Sequence, residues 1–410
     1  MRKSAGAVIP MQLNFNQFKD QLTFVTGNEE VIRQMLEVPY LQPFSEQVIS
    51  FLNDLSKKLM RVGKEYSDVA TFGFWCRRSA LLKEKEKYDD LNLRLGRGIV
   101  FHSTPSNVPV NFAFSFAAGL LAGNANVVRL PAKDFPQVRV ICNAVNELLA
   151  ETHKVMVPYI CMVKYPPLTE ITDIMSSICA TRIIWGGDGT IAEMRKSPLK
   201  PRANEITFAD RHSIAVVKAD EYLKAENKTK IARDFYNDTY FSDQNACTAP
   251  RIIFWLGERT KEAKEEFWRN VHNIVRGEYT FTAMQSVGKL QAFYKVAAQK
   301  DVKLVPSADQ LVMRIEIKKL DDEVMNYKYN SGFFFECDIS NLHDILPVST
   351  ERCQTLTYYG LTNDELTQFF IQSQPHGIDR AVPMGKSMDF TLVWDGYDLI
   401  CSLSRRVSVV

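Results

Sequence analysis

Apolar residues follow two different rhythms along this chain of 410 residues. From about 14 to 90 they recur at helical spacing. In "PFSEQVISFLNDLSKKLMRV", Val48, Ile49, Leu52, Leu55 and Leu59 line one face, and Ser45 stands where an N-cap belongs. A second helical pattern runs through "SDVATFGFWCRRSALL". From about 97 the rhythm becomes strand then helix. "RGIVFH", "NVVRL", "VPYICMV" and "TRIIW" read as strands. Between them lie the helical stretches "VPVNFAFSFAAGLLAG", closed by Gly123, "QVRVICNAVNELLAE" and "LTEITDIMSSIC". "GGDGT" and a short helix "IAEMRKS" end the block. This alternation predicts a parallel sheet covered by helices on both faces. Ligands of such sheets bind at the carboxyl ends of the strands, where "HSTPSNVP" and "GGDGT" fall.

A second alternating block starts near 213. "SIAVVKA" and "RIIFWLG" are strands, separated by a long helix, "DEYLKAENKTKIARDFYNDTYF". "RTKEAKEEFWRNVHNIV" and "TNDELTQFFIQS" are helices, and "QLVMRIEIK" and "SGFFFE" are strand-like. The expected class is α/β. A helical segment over 1–90 packs on a Rossmann-like cofactor domain over 91–210, and a catalytic α/β domain covers 211–385. A last segment, 386–410, returns to the cofactor domain or to an oligomer interface. No internal repeat or low-complexity linker interrupts the pattern.

Composition narrows the classes. The net charge is +2 and 24% of residues are charged, which points to no nucleic-acid or membrane surface. The run "KEKEK" is mixed in sign and suits a solvated helix face. Pro10 breaks the short apolar start, so no secretory leader is read, and no run approaches the roughly 18 apolar residues of a membrane span. Eight cysteines without CxxC spacing suit reduced thiols in a cytoplasm. Six histidines without HExxH give no expectation of a metal.

Four stretches have chemical potential. In "YFSDQNACTAPR", Cys247 sits between Ala246 and Thr248, small neighbours that leave room for a substrate. Read alone, it is equally a half-buried cysteine at a helix-to-strand junction. In "STPSNVP", two prolines fix a turn around Asn107, and a rigid amide is what an oxyanion hole requires, although an ordinary Asn turn looks the same. Gly186, Gly187 and Gly189 of "IIWGGDGT" give a turn that a pyrophosphate can approach, or simply a tight turn. Arg129 and Lys133 of "NVVRLPAKD" close the second strand, where an adenosine ribose would lie, or are solvated charges.

Taken in order, these segments resemble the aldehyde dehydrogenase superfamily, and within it the LuxC-type acyl-CoA reductases. The likeness spans roughly 90–405 and rests on "GRGIVFHSTPSNVP", "GNANVVRLPAKD", "WGGDGT", "RANEITFADRHSIAVV", "DQNACTAPR" and "DRAVPMGKSMDFTLVWDGYD". It implies reduction of an acyl thioester, from acyl-CoA or an acylated protein, to an aldehyde. Cys247 would be the nucleophile, and Asn107 with the Cys247 N–H would hold the oxyanion. Thr104, Pro105, Ser106, Arg129, Lys133, Gly186, Gly187 and Gly189 would hold the cofactor. Aldehyde-oxidising relatives carry Glu-Leu-Gly-Gly-Lys where this chain reads "TFADRHS", and Glu205 stands too early to supply that water-activating base. The family commonly forms homo-oligomers through an added strand. His102, His212 and His376 are candidates for proton transfer by residue type alone. NADPH is the expected cofactor, with NADH the alternative. Ala132 and Lys133 follow Arg129 where NAD-preferring relatives place a Glu, while Asp134 lies near enough to reach a ribose. Rival readings are oxidative aldehyde dehydrogenation and a non-catalytic subunit that binds an acyltransferase or ligase partner.

Overall fold

The computed structural model describes residues 15–105 and 108–410, and the chain divides into two compact units. The first contains the chain up to Ala209 together with Tyr397–Val410, and the second is Asp210–Gly396.

The first unit is built on strands β1 (Thr23–Thr26), β2 (Arg94–Gly96), β3 (Ile99–Ser103), β4 (Ala125–Arg129), β5 (Ile160–Lys164), β6 (Thr181–Trp185) and β7 (Asn204–Phe208). Six of them form one sheet in the order β1-β5-β4-β3-β6-β7, parallel except for β1. The strands of its centre are fully buried runs, as a sheet covered on both faces requires. Helices α1 (Glu29–Met35), α2 (Glu46–Val62), α3 (Ser67–Trp75) and α4 (Arg78–Lys85) precede the alternation, and α5 (Asn111–Leu121), α6 (Pro136–Glu151), α7 (Thr169–Ile178) and α8 (Asp188–Met194) belong to it.

Local details depart from the sequence expectation in two places. The stretch read as wholly helical contains β1, four residues that add antiparallel to the edge strand β5. Ser45 holds the N-cap position of α2, yet its hydroxyl is buried without a partner among the described residues. Phe44, at φ 53°, turns the chain so that only the Ser45 carbonyl enters the helix, accepting from Val48 and Ile49. Gly123 does close α5, at φ +90°, and a Cβ there would lie 2.1 Å from the Leu41 carbonyl oxygen. The final segment is bound into this unit. Asn124 donates to the Leu403 carbonyl at 2.9 Å, and Ser404–Arg406 pairs antiparallel with β2.

The second unit carries β8 (His212–Lys218), β9 (Pro250–Leu256), β10 (Val302–Val305), β11 (Met313–Ile317), β12 (Phe333–Ile339), β13 (Cys353–Tyr359) and β14 (Arg380–Pro383). Their order is β10-β11-β12-β9-β8-β13-β14, with only β10 antiparallel. The helix expected over 220–241 is two helices, α9 (Ala219–Lys224) and α10 (Lys228–Asp238). Asn227 separates them by capping α10, its side chain accepting from the Lys230 N–H. Helices α11 (Thr260–Glu278), α12 (Ala283–Ala297) and α13 (Asn363–Ser373) complete the unit. Residues 386–396 stay here rather than leaving with the last segment. Arg380 binds the carbonyls of Lys386, Ser387 and Asp389, and Asp238 accepts from Ser387.

One polar cluster pierces the core of this unit. Glu336 is 1% exposed and accepts from the Trp255 and Trp268 indoles and from Arg314. Glu336→Ala strands a half-buried guanidinium and two buried indole N–H groups, and is expected to cost about 3 kcal/mol. Glu336→Gln, which keeps one acceptor, is expected to cost less. Urea unfolding of both variants checks the order.

Candidate active site

In the first unit the chain runs from β3 out to β5, then returns across β3 to β6. The strand order therefore reverses between β3 and β6, and the carboxyl ends of strands at such a reversal are where ligands of these sheets bind. Thr104 and Pro105 follow β3 and Arg129 ends β4, with Ser103 opposite Arg129 in register. The Thr104 hydroxyl donates to the Arg129 carbonyl at 2.6 Å, which ties the two loops together. Gly186 and Gly187 follow β6 on the other side of β3, and Gly189 lies in the first turn of α8.

None of these three glycines has a positive φ. A Cβ on Gly187 or Gly189 would meet nothing within 4 Å. Local sterics do not require glycine there, so its effect is an open approach to backbone N–H groups. Arg129 is half-buried, stacked 4.4 Å over the Tyr165 ring and bound to the Tyr165 carbonyl. Lys133 is exposed and lies over Phe135. Asp134 is paired with Arg139 and, at 3.8 Å, with Lys164. Ser106 and Asn107 lie outside the described residues.

Beneath these strand ends the polar side chains are spent on structure. His102 is fully buried, with Nδ1 2.8 Å from the Ser115 hydroxyl and Nε2 2.8 Å from Asn126 Oδ1. Trp185 also donates to Ser115, at 3.0 Å. Burial lowers the His102 pKa to about 4. Glu205 is held by Arg182 and Arg195, at 2.5 and 2.7 Å. It is therefore not a free base.

In the second unit, Cys247 lies at the amino edge of the sheet, on the connection that feeds β9. The Asp-Gln-Asn run before it is a scaffold. Asp243 and Gln244 take left-handed φ of 52° and 53°. Gln244, fully buried, accepts from the N–H groups of Gly332 and Phe333 and donates to the Pro250 and Phe333 carbonyls. Asp243 accepts from the Tyr279 hydroxyl, and Ser213 donates to the Cys247 carbonyl at 2.7 Å. Thr248 touches Met388 Sδ at 3.4 Å, so the 383–395 stretch forms one wall.

Cys247 itself is half-buried. Burial, then the charge of Asp395, pushes its pKa up to about 12, against the N–H groups of Cys247 and Thr248 and the Gln354 amide. Hydrogen-bond donors surround the sulfur, and one charge of each sign, Asp395 and Arg251, acts there. Two neighbours carried no obvious sequence signal. Gln354 is 1% exposed and donates to Asp395. Arg251 is 8% exposed, and its Nε has no partner among the described residues. His212 is buried against the Val348 carbonyl, with its pKa lowered by burial to about 4, and His376 is exposed. Among the described residues no His, Cys, Asp and Glu group could hold a metal, and no helix is long and apolar enough to cross a membrane.

The model of the LuxC acyl-CoA reductase family matches residues 34–304, well over half of the chain. The chain belongs to that family. The reductase therefore converts an acyl thioester to an aldehyde at the expense of a reduced nicotinamide cofactor. Solved structures extend the fold to the aldehyde dehydrogenase superfamily. An NAD-dependent benzaldehyde dehydrogenase from Corynebacterium glutamicum aligns with TM-score 0.62 at 14% identity, over 92% of this chain and 88% of that one. Lactaldehyde dehydrogenase from Escherichia coli gives 0.61 at 12%, over 92% and 87%. A Delta-pyrroline-5-carboxylate dehydrogenase from Mycobacterium tuberculosis gives 0.60 at 12%, over 92% and 81%. No curated protein matches the sequence.

The two buried histidines make the reductase acid-sensitive. Their folded pKa values of about 4 lie below the roughly 6.5 of an unfolded chain, so folding favours the neutral ring. Their stabilisation is complete above about pH 6.5 and is lost as pH falls toward 4, at about 3 kcal/mol each. Urea unfolding at pH 7.5 and 4.5 should show this loss, and His102→Gln should remove the His102 share of it.

Proposed function

We propose that Cys247 is the nucleophile of the reduction and that the first unit holds the cofactor, with NADPH preferred. The observation that supports the nucleophile is the setting of its sulfur. Cys76, Cys142, Cys161, Cys179 and Cys353 are buried, while Cys337 and Cys401 are half-buried like Cys247. Cys247 is part-accessible on a strutted loop, with two backbone N–H groups and a side-chain amide facing its sulfur. The cofactor fits the first unit. The open glycine turn at the strand-order reversal leaves room for a pyrophosphate, and Thr104, Arg129 and Lys133 line the neighbouring strand ends. When bound, the cofactor supplies hydride.

The sulfur of Cys247 attacks the thioester carbonyl, and the CoA or carrier thiol departs. The acyl group is then held on Cys247. The Cys247 N–H is a donor for the oxyanion at each tetrahedral stage, and Asn107, outside the described residues, keeps the oxyanion role that the resemblance implies. Release of aldehyde returns the sulfur. Glu205 cannot turn the acyl-enzyme toward hydrolysis, because its carboxylate is already bound by two arginines. The donor, acyl-CoA or an acylated protein, is taken up at the Cys247 edge. On this reading the first unit, the chain up to Ala209 with Tyr397–Val410, is the cofactor domain, and Asp210–Gly396 is the catalytic one.

Incubation with an acyl-CoA should give an intact-mass increase on the native chain and none on Cys247→Ala or Cys247→Ser, with cofactor binding unchanged in both. Acylation persisting in either variant moves the nucleophile to another cysteine. For the cofactor, Arg129 and Lys133 supply two cations to a 2′-phosphate, while Asp134 is paired elsewhere. The native enzyme should show higher kcat/KM with NADPH than with NADH. Arg129→Ala should lower the NADPH value about tenfold more than the NADH value, the size of one charge-assisted hydrogen bond. Equal losses for both would remove the 2′-phosphate role.

A further inference from the structure

The sheet of the second unit loses register twice, and both losses flank β8 at its amino edge. Against β13, Cys353 pairs with His212 and Thr355 with Ser213, so Gln354 is an extra residue. Against β9, Pro250 pairs with Ser213 and Ile252 with Ile214, so Arg251 is an extra residue. A bulge beside a site re-aims a side chain. These two sit on either side of Ser213, whose hydroxyl donates to the Cys247 carbonyl at 2.7 Å. The Ala249 N–H donates to the Ala246 carbonyl at 3.0 Å, a turn that shortens the path from Cys247 to Arg251.

Unpaired polar atoms gather around Ser213. Among the described residues eight buried side-chain nitrogens and oxygens have no hydrogen-bond partner, and four of them lie here: Arg251 Nε, Gln354 Oε1, Thr355 Oγ1 and Trp394 Nε1. Buried polar atoms of folded proteins are nearly all paired, so a cluster of exceptions marks a place whose partner comes from outside the chain. Arg251 is 8% exposed and Gln354 1%. Thr355 pairs with Ser213 on one side and with Arg380 on the other. Trp394 is fixed by Arg380, 4.9 Å over its ring, and by Phe390 stacked against it. It directly precedes Asp395, which accepts from the Gln354 nitrogen.

The four atoms differ in kind. Arg251 and Trp394 only donate, Gln354 Oε1 only accepts, and the Thr355 hydroxyl does either. An ionised carboxylate only accepts, so Asp395 holds the Gln354 nitrogen toward itself and leaves Oε1 to a ligand. Other cations of this edge are already paired, Arg211 with Asp379 at 2.9 Å and Lys328 with Asp210 at 3.0 Å. A simple anion would meet the two donors and leave Gln354 Oε1 unpaired. An aliphatic chain would meet none of the four. A secondary amide carries one carbonyl and one N–H, and meets both kinds at once.

We propose that Arg251, Trp394 and Gln354 form the subsite for the amide nearest the sulfur of a pantetheine thioester: the guanidinium and the indole donate to its carbonyl, and Gln354 accepts from its N–H. Two carbons separate that amide nitrogen from the sulfur, so a thioester held here is delivered beside the loop that Ser213 ties to β8. The inference rests on the reading of Cys247 as the nucleophile and assigns what holds the donor there.

The test is kcat/KM for acylation of the full chain by one acyl group on three thiols, read by intact mass and mapped by peptide mass. Hexanoyl-pantetheine carries the whole arm. The hexanoyl thioester of N-acetylcysteamine keeps only the first amide, and that of 2-mercaptoethanol keeps none. The native chain should prefer each amide-bearing donor over the amide-free one by about tenfold, the effect of a hydrogen bond to a charged group. That ratio should fall about tenfold in Arg251→Met and in Gln354→Leu, and about fivefold in Trp394→Phe, which removes one N–H and keeps a ring under Arg380. A merely structural role lowers all donors alike and leaves the ratio unchanged. The proposal is overturned if the native chain shows no preference, or if the ratio stays within twofold of native in all three variants. Hexanoyl-CoA and a hexanoyl-pantetheinyl carrier protein share the arm, and the higher kcat/KM identifies the donor. If the ratios hold but the acyl group maps to another cysteine, the amide subsite stands and the reading of Cys247 falls.

Discussion

The second unit is organised by the need to satisfy buried backbone at the amino edge of its sheet. Strand ends leave N–H and C=O groups that an adjoining strand no longer pairs. Gln244 meets this need at four backbone groups at once, and Ser213 meets it at the Cys247 carbonyl. The loop is then rigid without bulky packing. That is why Ala246 and Thr248 can flank the thiol and still leave it in one place. Asp238 does the same for the opposite wall, accepting from Gly385 and Ser387 so that the 383–395 stretch stays against Thr248.

The first unit solves a related problem in the opposite way. Its inner polar residues, His102, Ser115, Asn124 and Asn126, bond to one another or to backbone and leave nothing over for a ligand. Room is made instead by omission. At Gly187 and Gly189 the side chain is absent and no neighbour fills the space. A ligand there meets backbone N–H groups and the flanking cations, while the histidine that looked chemically useful forms part of the sheet's foundation. Residue type alone nominated His102; its surroundings assign it.

The strand–helix alternation from 97 to 194 and the strand ends that carry Thr104, Arg129 and Gly186 were legible, because fully buried parallel strands print as apolar runs. Four features were not. The strand Thr23–Thr26 is short and sits at an edge, so its pattern is weak. The break at Asn227 falls in the polar run "AENKTK", which the solvated face of one long helix would also show. Gln354 and Arg251 owe their direction to slips of register between strands distant in sequence, and no local spacing encodes such a slip. Asp395 was quoted within a family-typical segment, but only the fold brings it to Gln354.

On the proposed role of Cys247, a thiol whose pKa burial has raised looks at first like a poor nucleophile. Rate, however, depends on what is stabilised more in the transition state than in the ground state. The N–H groups of Cys247 and Thr248 and the Gln354 amide gain little from a neutral thiol and much from an anionic sulfur or an adjacent oxyanion. A sulfur kept neutral at rest pays no desolvation cost for a charge it does not yet need. The same donors act again when the aldehyde departs and the sulfur leaves as an anion. On the proposed role of Cys247, one arrangement thus serves both attack and release.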